Sequence, residues 1–168
     1  MPLIGFTSYR TYVENNTFTI RFDDLVVETE QRYTFAVSRN GAYLVDAYLD
    51  VTEAITREGE TFYRMQQTAP DANDTFFWSI RQDGFYQYLD PADAHPQFYV
   101  PLPLRPGMKW IAPVYPDARY SHNKQIVEAE FTAGHDEVLD LPIGGVHAIE
   151  ITVLEPGGKN FRTFWFSR

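Results

Sequence analysis

Cysteine is absent from the 168 residues, which removes disulfides, thiolate chemistry and Cys-ligated zinc together. Long apolar runs are missing too. No stretch approaches the ~18 residues of a membrane-spanning helix. The first ten residues show no basic region leading into an apolar one, so no signal peptide is visible. That leaves the compartment open: extracytoplasmic if a leader has been removed, otherwise cytoplasmic. Positive charge is scarce, with 14 Lys and Arg against 23 Asp and Glu and a net charge of −9. Neutralising nucleic-acid phosphates or an anionic membrane surface needs the opposite balance, so neither is an expected partner. No window of ten residues keeps a 3.6-residue period, and no repeat, low-complexity tract or linker divides the chain.

Aromatic residues are abundant instead, with 13 Phe, 11 Tyr and 3 Trp making 16% of the chain. Such side chains favour pleated, half-buried surfaces. From Thr17 onward the chain alternates. Phe18, Ile20 and Phe22 share one face, then Tyr33, Phe35 and Val37, followed by Asn40-Gly41, a strong hairpin signal. Tyr43 to Val51 returns. Glu58-Gly59-Glu60 marks a second turn, Pro70 to Asp74 a loop, and Asp83-Gly84 a third turn between Phe76–Ile80 and Phe85–Leu89. Later alternation over Val127–Phe131, a turn at Gly134-His135, Ile149–Val153 and Phe161–Phe166 completes the pattern.

Residues 91–116 interrupt it, holding seven of the 11 prolines. Proline fixes φ and gives no ladder donor, so this segment reads as an edge or crossover ending near Trp110. The expectation is one antiparallel all-β domain over 1–168, with 1–16 as a lead-in strand or a loose arm. It would be a single curved sheet, a half-barrel or open barrel, of about 8–10 strands with little or no helix.

Chemistry-bearing patterns are few. His95, His122, His135 and His147 show no metal-ligand spacing, so no metal or cofactor is expected. Asp71, Asn73 and Asp74 lack the glycine and the terminal glutamate of a calcium loop and read as a capped turn. Asp23-Asp24 and Glu28/Glu30 read as solvated charges. The triplets at Asn15 and Asn73 match a glycosylation acceptor, which matters only in a eukaryotic secretory setting. No nucleophile elbow, S-x-x-K or phosphate-cradling loop occurs, and no catalytic residue is assigned. The aromatic cluster carries more. Trp78, Phe85, Tyr86, Tyr99 and Trp110 fall close together, as a filled core or as the wall of an apolar pocket.

One family resemblance follows. Leu102-Pro103-Leu104-Arg105-Pro106-Gly107-Met108-Lys109-Trp110 resembles the P-L-x-x-G-x-x-W segment of bacterial proteins of a largely uncharacterised type, often lipoproteins. Asp83-Gly84-Phe85-Tyr86, Gly145-Val146-His147-Ala148 and Trp165-Phe166-Ser167 resemble that family's preceding strand, late turn and ending. The resemblance implies a LolA/LolB-like half-barrel that binds an apolar ligand or an envelope protein partner without catalysis. Two alternatives remain open. One is a structural or interaction domain with a filled core and no ligand. The other is a hydrolase using carboxylates or a histidine at the half-barrel mouth. Oligomeric state is not readable.

Overall fold

The structure is a computed structural model that describes residues 11–12, 18–39, 42–69, 72–115, 125–141, 144–156 and 161–167. Among these, eleven strands form two antiparallel sheets that do not close into a barrel. The all-β expectation holds. The helical content described is one 3₁₀ turn, Phe22–Asp24, whose Asp24 carboxylate accepts the Arg21 amide at 2.8 Å.

The first sheet is a six-strand meander in chain order: β2 (Arg32–Arg39), β3 (Ala42–Arg57), β4 (Glu60–Ala69), β5 (Ala72–Arg81), β6 (Gly84–Tyr88) and β7 (Phe98–Pro101). The second is built on β9 (Val127–Leu141). β10 (Gly144–Leu154) and then β11 (Phe161–Ser167) extend it on one side. Along the other side of β9 lie β8 (Lys109–Val114) and the two-residue β1 (Thr11–Tyr12), end to end. The expected curved sheet is thus realised as two hydrogen-bonded ladders.

The turns explain the meander. Glu58 (φ 51°) and Gly59 (φ 83°) both take the left-handed conformation of the mirror-image two-residue hairpin between β3 and β4. The Asp-Gly pair works differently. Arg81 pairs with Gly84, so Gln82-Asp83 form the turn and Gly84 is already strand. Asn40-Gly41 lies outside the described residues, as do Pro70-Asp71, 1–10, Asn15-Asn16-Thr17 and His122. The flanking pairs Arg39↔Ala42 and Ala69↔Ala72 are in ladder register, and Ala72–Asp74, read as loop, belongs to β5.

Gly134-His135 does not turn the chain. β9 runs straight through it with two residues opposite Glu150, a β-bulge. The extra residue shifts the alternation, so Ala133 and Asp136, rather than Ala133 and His135, share a face with Ile149 and Ile151.

The proline-rich stretch is the crossover between sheets. Leu102 and Leu104 are buried, and Leu104 exchanges two backbone hydrogen bonds with Ile20 at 3.0 and 2.8 Å. The Leu102–Pro103 peptide is cis. Pro106 and Gly107 (φ 83°) then occupy the centre of a tight turn, and the Gly107 amide donates to Ala133 O at 2.9 Å. The chain thereby enters β8 already tied to β9. Behind this seam the two sheets share one core of Leu49, Val51, Met65, Phe76, Val100, Phe131, Ile149 and Ile151 among others.

Candidate functional site

The five aromatic residues singled out from the sequence are not brought to one place. Trp78 and Phe85 are 9% and 5% exposed and belong to the filled core. Phe85 meets Trp78 edge to face at 5.3 Å and reaches the opposite sheet at Phe166, 5.1 Å away. The Trp78 indole N–H donates to Gln87 Oε1 at 3.2 Å, and Gln87 donates in turn to the buried Gln97 at 3.3 Å, so its polar atom is satisfied internally. Trp110 lies in the other sheet, stacked flat on Phe131 at 5.1 Å, with its N–H donating to Tyr99 O at 3.3 Å. It covers one end of the core as a half-buried strand residue.

Tyr86 and Tyr99 alternate out of phase with Phe85 and Val100, and so sit on the far face of the first sheet. Their rings are 4.8 Å apart. There they join a polar cluster that sequence reading missed. Glu60 opens β4, and Ser79 and Arg81 stand opposite it at the end of β5. The fully buried Ser79 hydroxyl donates a short hydrogen bond to Glu60 Oε1, and Arg81 Nε donates to the same oxygen at 2.7 Å. Arg81 also donates to Tyr88 OH at 3.0 Å and lays its guanidinium over the Tyr86 ring at 4.3 Å. Burial works against the Arg81 charge, but the bond to Glu60 and the charges of Tyr88, Glu60 and Tyr86 together outweigh it, and the pKa lies above its ordinary value. Burial raises Tyr86, Tyr88 and Tyr99 above the usual phenol range, with Asp83 adding to the rise at Tyr86.

A cleft of about 520 Å³ lies between the segment that leads into β2 and the core-side face of the meander, with Glu58, Glu60 and Arg81 among its lining residues. Phe22, Leu25 and Val27, from the segment that leads into β2, make one wall. Tyr63 and Ile80 make the floor, and Glu58 to Thr61, at the β3–β4 hairpin, close the end. Local sequence hid this site. Phe22, Leu25 and Val27 follow neither a strand nor a helix period, and the hairpin carries no motif. Three apolar residues within six positions of a non-periodic segment were the available signal.

A second unforeseen pair joins β9 to β10. The His147 imidazole Nε2 lies 2.7 Å from Asp136 Oδ2, a carboxylate that is almost fully buried, and Phe18 stacks on the ring at 3.9 Å. A carboxylate-held imidazole is half of a general-base arrangement. No hydroxyl hydrogen-bonds to it among the described residues, and Phe18 caps one face, so the geometry as it stands anchors the lead-in segment. The other histidines are dispersed: His95 in the loop before β7 and His135 in the bulge. Among the described residues, no three His, Asp or Glu side chains gather closely enough to hold a metal ion. No described helix is long and apolar enough to cross a membrane.

No protein-family model, curated protein or solved structure matches this chain.

Proposed function

We propose that the protein is a non-catalytic binding domain for a small apolar, lipid-like ligand, held in the rim cleft and not among the core aromatics. The observation that carries this reading is the cleft itself. Its volume of about 520 Å³ falls in the ~300–1,000 Å³ range of small-molecule sites. Its lining joins an apolar wall and floor to a few charged groups at one end, which suits a ligand with an apolar body and a polar head. The packed interior supports the placement, because Trp78 and Phe85 already fill each other's space. The motif likeness to half-barrel lipoprotein carriers points to the same class of ligand.

Native mass spectrometry and thermal-shift measurements with C10–C14 alkyl alcohols, amines and carboxylates and with lysophospholipids test the reading. A 1:1 adduct and a raised Tm are expected with at least one of them. Both should weaken in Leu25→Gln, a variant that removes apolar wall and that circular dichroism must show to be folded. Absence of any adduct and of any Tm shift across the whole set would overturn the proposal.

A further inference from the structure

The wall of the cleft is fastened at its two ends and is held by little between them. At one end Phe18 stacks on His147, and the buried Ile20 exchanges its two backbone hydrogen bonds with Leu104. At the other, the Glu30 amide donates to Val51 O at 2.8 Å and the Val51 amide to Gln31 O at 2.9 Å, where the β2–β3 ladder begins. No residue from Arg21 to Glu30 is buried. Between the two fastenings, the backbone bonds among the described residues are those of the 3₁₀ turn, donated by Asp24 and Leu25 to Arg21 and Phe22. The amides of Val26, Val27, Glu28 and Thr29 donate to no acceptor among the described residues. A span with no buried side chain and few backbone bonds opens at far lower cost than the core beside it.

What lies beneath the span gives it two places to be. Leu25 and Val27 line the cleft opposite Tyr63 and Ile80, across about 520 Å³ of space, while Val26 is 70% exposed. The core beside it is filled, with Trp78 against Phe85 and Phe98 against Phe131 and Phe164. Interiors pack to crystal density, and an apolar wall held off an apolar floor forfeits dispersion contact on both. The wall recovers that contact by coming down on the floor, or by closing on an apolar body placed between them. Glu30, with a left-handed backbone (φ 65°), makes the bend where the span meets β2, and hinges sit at such element ends.

We propose that residues 21–30 form a hinged strap, pivoting at Ile20 and Glu30, that opens to admit the apolar ligand of the cleft and closes over it. Closure on a ligand rests on the cleft being a ligand site, and the test separates the two claims. The chain has no cysteine, so Val26→Cys on the strap and Arg64→Cys on the far face of β4 carry the sole pair of spin labels. Pulsed electron–electron resonance on the full chain reads the distance between them, with and without decanol below its solubility limit. Calorimetry on the same sample reads whether decanol binds, and circular dichroism verifies that each variant is folded. Without ligand the distance should spread over several ångström, as open and closed positions interchange. Bound decanol should collapse it to one narrow peak. Leu25→Gln, or Val27→Gln should the first not fold, should keep the spread and lose the collapse, because the strap then has less apolar surface to seat. An identical narrow distance with and without bound decanol would overturn the strap and leave the ligand site standing. A spread that bound decanol does not narrow would mark a loose connection and overturn it too. If neither decanol nor any other of the alkyl probes binds, the ligand site and its closing strap fall together.

Discussion

Gly84 lies where neighbouring strands leave no room for a methyl group. A β-carbon there would come within 2.5 Å of the Tyr99 ring and 3.0 Å of Val100 O. Gly84→Ala should therefore destabilise by about 1–3 kcal/mol through forced displacement of β7, read as a fall in the urea midpoint at unchanged slope. An effect within 0.5 kcal/mol would mean that Tyr99 swings aside freely. Trp110 sets a contrasting case. Full burial of a tryptophan would predict a loss of ~3–5 kcal/mol on truncation to alanine. Because Trp110 is only half-buried, Trp110→Ala should cost about 2 kcal/mol, less than Phe131→Ala beneath it, whose ring is 1% exposed. The reverse order in chemical denaturation would show that the indole, not the phenyl ring, holds that end of the core.

At the scale of strands, the far face of the meander gathers Tyr86, Tyr88 and Tyr99 around Arg81. Each has a folded-state pKa above that of a free phenol, mainly because burial disfavours the charged form. A raised folded pKa contributes stability that is complete below the unfolded value near 10 and disappears as pH rises toward the folded value. Stability should thus fall with increasing pH above about 10, and these three phenols should ionise later than exposed tyrosines. Absorbance titration of tyrosinate, with Tyr86→Phe to assign the late phase, checks this. A single ordinary titration step would refute it. The strand plan itself was readable wherever a local rule governs it. Glu58-Gly59 announces its turn because both residues need positive φ, and the proline cluster announces a crossover because it cannot donate to a ladder. Gly134 misleads because a glycine in a bulge looks locally like one in a turn. No apolar pattern marks the change of phase, because Val138, Leu139 and Leu141 fall on both faces after the bulge and the residue set opposite Ile149 is Asp136. Glu60, Ser79 and Arg81, spread over 21 positions, meet only once the β4–β5 register is set, and no local pattern encodes that.

Across the whole molecule, phenylalanine rings join the two sheets. Phe98, on β7 of the meander, touches Phe85 in its own sheet at 6.4 Å, and Phe131 and Phe164 in the other sheet at 5.9 and 4.7 Å. Among the described residues each sheet buries its apolar face against the other, with Phe18, Ile20, Leu102 and Leu104 completing the core, so each depends on the other for burial. Truncating Phe98 should accordingly lower the stability of both sheets at once, by about 3–5 kcal/mol, and not loosen β7 alone. The tryptophans provide local reporters, Trp78 in the first sheet and Trp110 and Trp165 in the second. Single-tryptophan variants of wild type and of Phe98→Ala, unfolded in urea, should give fluorescence transitions that coincide with each other and with far-ultraviolet circular dichroism. Midpoints that separate by sheet would mean two independently folding layers held together by the Leu102–Met108 crossover. The rim cleft is lined by the lead-in segment and the meander. Its ligand, if bound to the folded chain only, should then raise all the midpoints together, whichever tryptophan is watched.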